Sequence, residues 1–272
     1  MKKKLTYIFT TCLLLLTFGL GYIYIQQEEL LFQKTTLPGD YSFTFAESFE
    51  ELFLDTEKGA RINALYFTTE NPKGVVLYFH GRGGNLSDRW GPLSKEFTSR
   101  GYNFFIMDYR GFGKSKGKLS ERAICHDADY CYDYLTKKFR EDQIVVYGRS
   151  LGTGIATFVA SHHDPKTLVL EAPYFSVLDL IPRQHPYLPR FLVPLLIKYH
   201  FRTDKWIVHV DAPIHIFHGT DDELVPYHSS TRLLKLIKEK KDATLIPIKN
   251  GKHSHLRRHP EYQIGLTEIL SL

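Results

Sequence analysis

Cysteine is scarce, with three in the 272 residues, at positions 12, 125 and 131. So few cannot form a disulfide framework. Cys125 and Cys131 stand six apart on an expected helix, point to different faces and cannot bridge locally. No cysteine and histidine spacing of a zinc site occurs, so neither a metal nor any other cofactor is expected. Internal repeats and low-complexity stretches are lacking, which speaks against solenoids and disordered tails. A basic stripe interleaved with aromatics is lacking too. Of the net charge of +5, Lys2, Lys3 and Lys4 supply three and leave +2 for the remainder, so nucleic acid is not an expected partner.

What the chain does have is one long uncharged run. Residues 5–25 are largely apolar, flanked by the three lysines before and by Glu28 and Glu29 after. That length suits a single membrane span. The run ends in Gly21, Tyr22, Ile23, Tyr24 and Ile25, aromatics suited to a membrane interface, with no small-x-small cleavage site. An uncleaved anchor over residues 1–25 is therefore expected in preference to a cleaved signal peptide. Cys12 lies inside it without a lipobox before it. The lysines would put the N-terminus in the cytoplasm and the remaining chain on the extracytoplasmic side. Residues 26–40 read as a juxtamembrane linker with a turn at Pro38-Gly39, and 41–272 as one domain.

Strand and helix signals alternate through that domain. Strand-like alternation marks 41–45, 51–55 and 62–67, an antiparallel opening to a sheet. An unbroken apolar run at 75–79 predicts a strand buried on both faces and 103–107 another buried strand, with further strands at 144–147, 167–170, 213–217 and 244–248. Helical patterns occupy 93–100, 121–139, 229–241 and 260–270. This order predicts a mostly parallel sheet covered by helices on both faces. Residues 175–210 hold Pro182, Pro186, Pro189 and Pro194 among many Leu, Tyr and Phe, too long for a plain crossover. They read as a small, partly helical cap over the carboxyl edge of the sheet, where open α/β sheets bind ligands.

The chemistry centres on Gly148-Arg149-Ser150-Leu151-Gly152, between a strand and a helix. A nucleophilic serine needs a sharp turn to present its hydroxyl, and flanking glycines relieve the crowding of that turn. It also needs a base, a carboxylate to orient the base, and donors for the oxyanion. Each has a candidate just past a strand. The loop His80-Gly81-Arg82-Gly83-Gly84-Asn85 offers the backbone N–H of Arg82, with that of Leu151 as second donor. The loop after 213–217 packs Asp221, Asp222 and Glu223, of which Asp222 is the chosen acid and Asp221 the alternative. After 244–248 come His253 and His255, with His259 further on; His253 follows the Gly251 turn most closely. The order Ser150, Asp222, His253 is that of the α/β-hydrolase triad.

These motifs resemble the α/β-hydrolases, in particular the membrane-anchored serine hydrolases related to the fungal bud-emergence hydrolases and the mammalian depalmitoylase-like proteins. The resemblance runs over about 26–270 and rests on the stretch 27–32 after the span, His80-Gly81, the stretch 108–115, the serine motif, the stretch 218–223 and Lys252-His253. It implies an eight-stranded, mostly parallel α/β-hydrolase sheet with a short cap, preceded by one transmembrane helix. It also implies Asp222 as the acid of a His-Gly-x-x-Asp motif and His253 as the base. Asp108 and Arg110 read as structural. The expected activity is that of a serine hydrolase acting on an ester, thioester or amide, with a carboxylic-ester or lipid-like acyl substrate favoured by the aromatic, leucine-rich cap. An aminopeptidase-like amide hydrolase is one alternative, and a non-catalytic anchored binding protein of the same fold another. A dinucleotide site at the same glycines is disfavoured, because Tyr134 and Lys138 precede the glycine loop instead of following it.

Overall fold

The computed structural model describes residues 2–186, 188–237 and 242–271, apart from the side chains at 2, 5, 8, 12, 13, 15, 16 and 23. The chain opens with helix α1 (Lys2–Leu31) and a short strand, β1 (Gln33–Lys34). A hairpin follows, β2 (Phe49–Glu57) and β3 (Ala60–Phe67), turned at Gly59, whose φ of 84° suits a residue without Cβ. Next come β4 (Gly74–Phe79), β5 (Gly83–Gly84), α2 (Ser94–Thr98) and β6 (Tyr102–Met107). Then α3 (Glu121–Thr136), β7 (Ile144–Arg149), α4 (Leu151–Ala160) and β8 (Thr167–Glu171) alternate. Three short helices, α5 (Val177–Gln184), α6 (Val193–Leu196) and α7 (Thr203–Trp206), precede β9 (Ile214–Gly219). The chain closes with α8 (His228–Leu236), β10 (Ala243–Ile248) and α9 (Pro260–Ser271).

Eight strands form one sheet in the order β10-β9-β8-β7-β4-β6-β3-β2. The six from β10 to β6 are parallel, and β3 and β2 add antiparallel at the edge. Both faces are covered, and the two-residue period of a strand divides its side chains between them. In β4, Val75, Leu77 and Phe79 enter the core on one face while Val76 and Tyr78 enter the other. Ile144 and Val146 part from Val145 and Tyr147 in the same way. Every residue of β4, β6, β7 and β8 is buried, which is why their sequences are largely apolar without the alternation of a half-exposed strand.

Several expectations need correction. The antiparallel opening consists of β2 and β3 alone: residues 41–45 form no strand, and the Phe45 ring packs against those of Phe43, Phe49 and Phe67. Alternating aromatics there serve a loop cluster rather than a ladder. The helix expected over 93–100 shortens to α2 after a 3₁₀ turn containing Pro92. Of the helix expected over 229–241, the last four residues lie outside the described ones.

The membrane span is not supported. The run 5–25 lies within α1, but among the described residues no helix is long and apolar enough to cross a membrane. Threonines at 6, 10, 11 and 17, glycines at 19 and 21 and the tyrosines dilute it. The topology drawn from it, with the domain on the far side, loses its support with it. Cys12, whose side chain is outside the described ones, carries no structural account. Nor is the stretch after Ile25 a free linker. α1 continues to Leu31, Phe32 is fully buried in the core, and β1 pairs in parallel with Gly83 and Gly84.

Candidate active site

Ser150 stands between β7 and α4 with φ 51° and ψ −117°, a conformation that costs a non-glycine residue about 1–3 kcal/mol. The surroundings over-determine it. Its N–H donates to Glu171 O at 2.8 Å, and its own carbonyl accepts from Thr153 N (2.9 Å) and Thr153 Oγ1 (2.6 Å). The flanking glycines are required by close backbone approach: a Cβ on Gly152 would overlap the Phe79 carbonyl, and one on Gly148 would meet the Gly152 carbonyl and Ala156. The turn thus lets α4 pack directly against the ends of β4 and β7.

His253 Nε2 lies 2.9 Å from Ser150 Oγ, and His253 Nδ1 lies 2.7 Å from Asp222 Oδ2. The three residues named from the sequence are thereby joined in one hydrogen-bonded line, although 72 positions separate Ser150 from Asp222 and 31 separate Asp222 from His253. The alternatives are not brought in. Asp221 is exposed and accepts from Thr220 Oγ1, while His255 is exposed at φ 70°. Asp222 is buried; its Oδ1 accepts from Leu224 N (2.9 Å) and Val225 N (2.8 Å). Burial by itself would raise its carboxyl value, but hydrogen bonds from His218 and His253 outweigh that and hold it well below the usual carboxylate range.

His218 has no counterpart in the sequence-based candidates. Its Nε2 lies 2.8 Å from Val225 O and 3.3 Å from Asp222 Oδ2, and its Nδ1 lies 2.6 Å from Ser230 Oγ. It is fully buried and approaches the same carboxylate oxygen of Asp222 as His253 does. Its place four residues before Asp222, at the end of β9, is the signal that could have marked it. Arg149 is a second such residue. Its Nε donates to Glu171 Oε1 at 2.9 Å, and its NH2 donates to the carbonyl of His253 at 3.2 Å, so the residue before the serine holds the loop that carries the histidine. Tyr147 and Tyr262 extend that network to α9.

Leu151 and Arg82 line the same cavity as Ser150 and His253. Leu151 is the first residue of α4, so its N–H has no carbonyl one turn earlier to bind. The Arg82 loop is braced from behind. The His80 ring lies 4.2 Å from that of Tyr109 and 5.4 Å from that of Trp90, Tyr109 Oη donates to His80 O, and Trp90 Nε1 donates to Gly83 O. Asp108 sits beneath the loop, 3.4 Å from His80 Nε2, where burial pushes its carboxyl up. Arg110 faces elsewhere and grips Asp127 of α3 through two bonds of 2.7 Å, together with Glu57. Cys125 and Cys131 are free and buried. Among the described residues no cluster of metal-binding side chains occurs.

A strained serine at the head of a helix, on the carboxyl edge of an eight-stranded mostly parallel sheet, defines the class as an α/β-hydrolase. The family model for serine aminopeptidase, S33 (Hydrolase_4), matches residues 70–205, half of the sequence, and the chain belongs to that family. It is similar to the lysophosphatidylserine lipase ABHD12 of Rattus norvegicus, with 29% identity over 221 residues, covering 72% of this chain and 55% of that protein. The chain thus spans little more than half the length of that relative. Among solved structures it is similar to the esterase Pf2001 of Pyrococcus furiosus (TM-score 0.68, 18% identity, 88% of this chain and 98% of that one). Est1E of Butyrivibrio proteoclasticus, solved with ferulic acid bound, gives a TM-score of 0.60 at 20% identity over 80% of this chain and 96% of that one. Those structural likenesses show the fold.

Proposed function

We propose that this protein is a serine hydrolase that cleaves carboxylic esters with lipid-like acyl groups. The observation that carries the reading is the hydrogen-bonded line from Ser150 through His253 to Asp222, with Ser150 and His253 lining a mostly apolar cavity. Ser150 Oγ attacks the ester carbonyl as His253 Nε2 takes its proton. Asp222 holds the Nδ1–H of His253, fixing the tautomer and stabilising the imidazolium. The N–H groups of Arg82 and Leu151 meet the oxyanion, aided by the positive end of the α4 dipole. His253 then passes the proton to the departing alkoxide oxygen, leaving an acyl-serine. A water attacks that acyl group by the same steps in reverse, and the acid leaves. The relatives named as a lipase and esterases support the ester over the amide.

The test is Ser150→Ala, assayed with esters of increasing acyl length beside an aminoacyl amide, together with fluorophosphonate labelling. A fall in ester turnover of about 10⁴-fold and loss of labelling are expected. Retention of most of the activity would overturn the assignment. A wild-type preference for the amide would turn the reading toward an aminopeptidase.

A further inference from the structure

The cavity beside Ser150 has a volume of about 290 Å³. Its walls are mostly apolar, with Gln184 and Glu223 among them, and they include Val177, Leu180 and Ile181 of the cap helix α5, Leu224 and Val225 beyond β9, and Leu31 at the last turn of α1. We propose that the acyl chain of the substrate lies against Leu31, so that the docked end of the N-terminal helix sets the length of chain the site accepts. The inference rests on the reading of Ser150 as nucleophile and adds to it a wall that lies outside the sheet, its loops and the cap.

The size of the space limits the tail. At ~30 Å³ per small group, close to the share of one water, the cavity takes about ten methylene-sized groups. An acyl chain of medium length fills it, and a longer one must either leave through its open side or displace a wall. Leu31 is a wall that cannot easily give way, because the residues around it are tied down. Gln27, one turn before it on the same face, is buried; its Oε1 accepts from Lys198 N at 2.7 Å and its Nε2 donates to Leu196 O at 3.2 Å. Glu28 accepts from Tyr199 Oη at 2.9 Å. Phe32, the next residue, is fully buried with its ring 4.9 Å from that of Tyr199. Gln33 N–H then donates to the carbonyl of Arg82 at 2.8 Å. One segment therefore supplies an acyl wall and ties down the residue whose N–H faces the oxyanion. The opposite wall is fixed as well, since Asp179 of α5 accepts from Arg232 of α8 at 2.8 Å.

The proposal is tested in the full chain with Leu31→Trp and Leu31→Ala, using p-nitrophenyl esters from acetate to hexadecanoate. Leu31 is only partly buried, so both replacements suit the fold, and the alanine variant suffices should the larger one fail to fold. The indole fills the cavity, and the ratio of kcat/KM for decanoate over butanoate should fall by about tenfold or more, the discrimination an apolar pocket shows for one or two methylenes. The alanine variant should move the optimum toward longer chains. If neither the ratio nor the optimum moves while Ser150 still takes the fluorophosphonate, the acyl chain does not lie on Leu31 and the inference fails alone. If the wild type neither labels nor hydrolyses any ester, the nucleophile assignment fails, and the inference with it.

Discussion

Two buried ionic arrangements hold the candidate site, and they differ in what they do for stability. Arg149 and Glu171 pair at 2.9 Å with both side chains nearly inaccessible to solvent. Removing one partner of such a pair strands the other. Arg149→Met should therefore destabilise the fold by about 3–5 kcal/mol in chemical denaturation and lower turnover by freeing the His253 carbonyl. A loss below about 1 kcal/mol would mean that the pair contributes little beyond ordinary surface pairs. Asp222 gives a pH signature. Its carboxyl lies below the ordinary range in the fold, because hydrogen bonds from His218 and His253 outweigh the effect of burial. It therefore contributes stability at pH above an unfolded value near ~3.9 and loses that contribution as pH falls through the lower folded value. Thermal unfolding of the wild type should weaken more steeply below about pH 4 than that of Asp222→Asn; parallel pH profiles would count against the arrangement. Ser150, Asp222 and His253 were legible because their types and their positions after strands announce them. His218 stood in the His-Gly-x-x-Asp motif and Arg149 in the serine motif, but neither motif gave those two side chains a part of their own. Only burial and contact give them a part.

At the scale of elements, the turn between β7 and α4 is where local sequence and close packing meet. Gly148 and Gly152 are needed because backbone atoms of β4 and α4 occupy the space a Cβ would take. Gly152→Ala should destabilise by about 1–3 kcal/mol or more as the Phe79 carbonyl is pushed away. It should also lower turnover by moving Leu151 N–H, and calorimetry beside an ester assay checks both. An alanine variant with unchanged unfolding temperature would contradict the packing described. The buried parallel strands were readable from their apolar runs, since covering both faces removes any need for polar alternation. The segment 41–45 misled because alternating aromatics satisfy the same pattern, yet its rings pack on β2 and β3 and leave its backbone out of the ladder. The cap was legible as an excursion of the right composition. That its α5 forms a wall of the cavity depended on how the excursion folds back.

For the molecule as a whole, the N-terminal segment belongs to the hydrolase domain from Gln27 onward. Phe32 contacts Phe112, Tyr199 and Phe201 from three directions and is fully buried. Phe32→Ala should cost about 3–5 kcal/mol, as for other large buried rings, and denaturant unfolding would measure it. A cost near zero would show that this segment is not part of the core. An uncharged run reads as a membrane span by its length alone, and nothing local tells where the helix ends or what its last turn touches. The sequence by itself determined the alternation of strands and helices, the glycines around Ser150 and the order of Ser150, Asp222 and His253 after their strands, because each depends on period, residue type and near neighbours. Only the tertiary structure decided which of the adjacent acids and histidines join Ser150 in one hydrogen-bonded line, that His218 and Arg149 contact them, and that Leu31 lines the cavity. These depend on contacts between distant parts of the chain, which arise only when the parallel sheet brings its strand ends to one edge and the cap and α1 close over it.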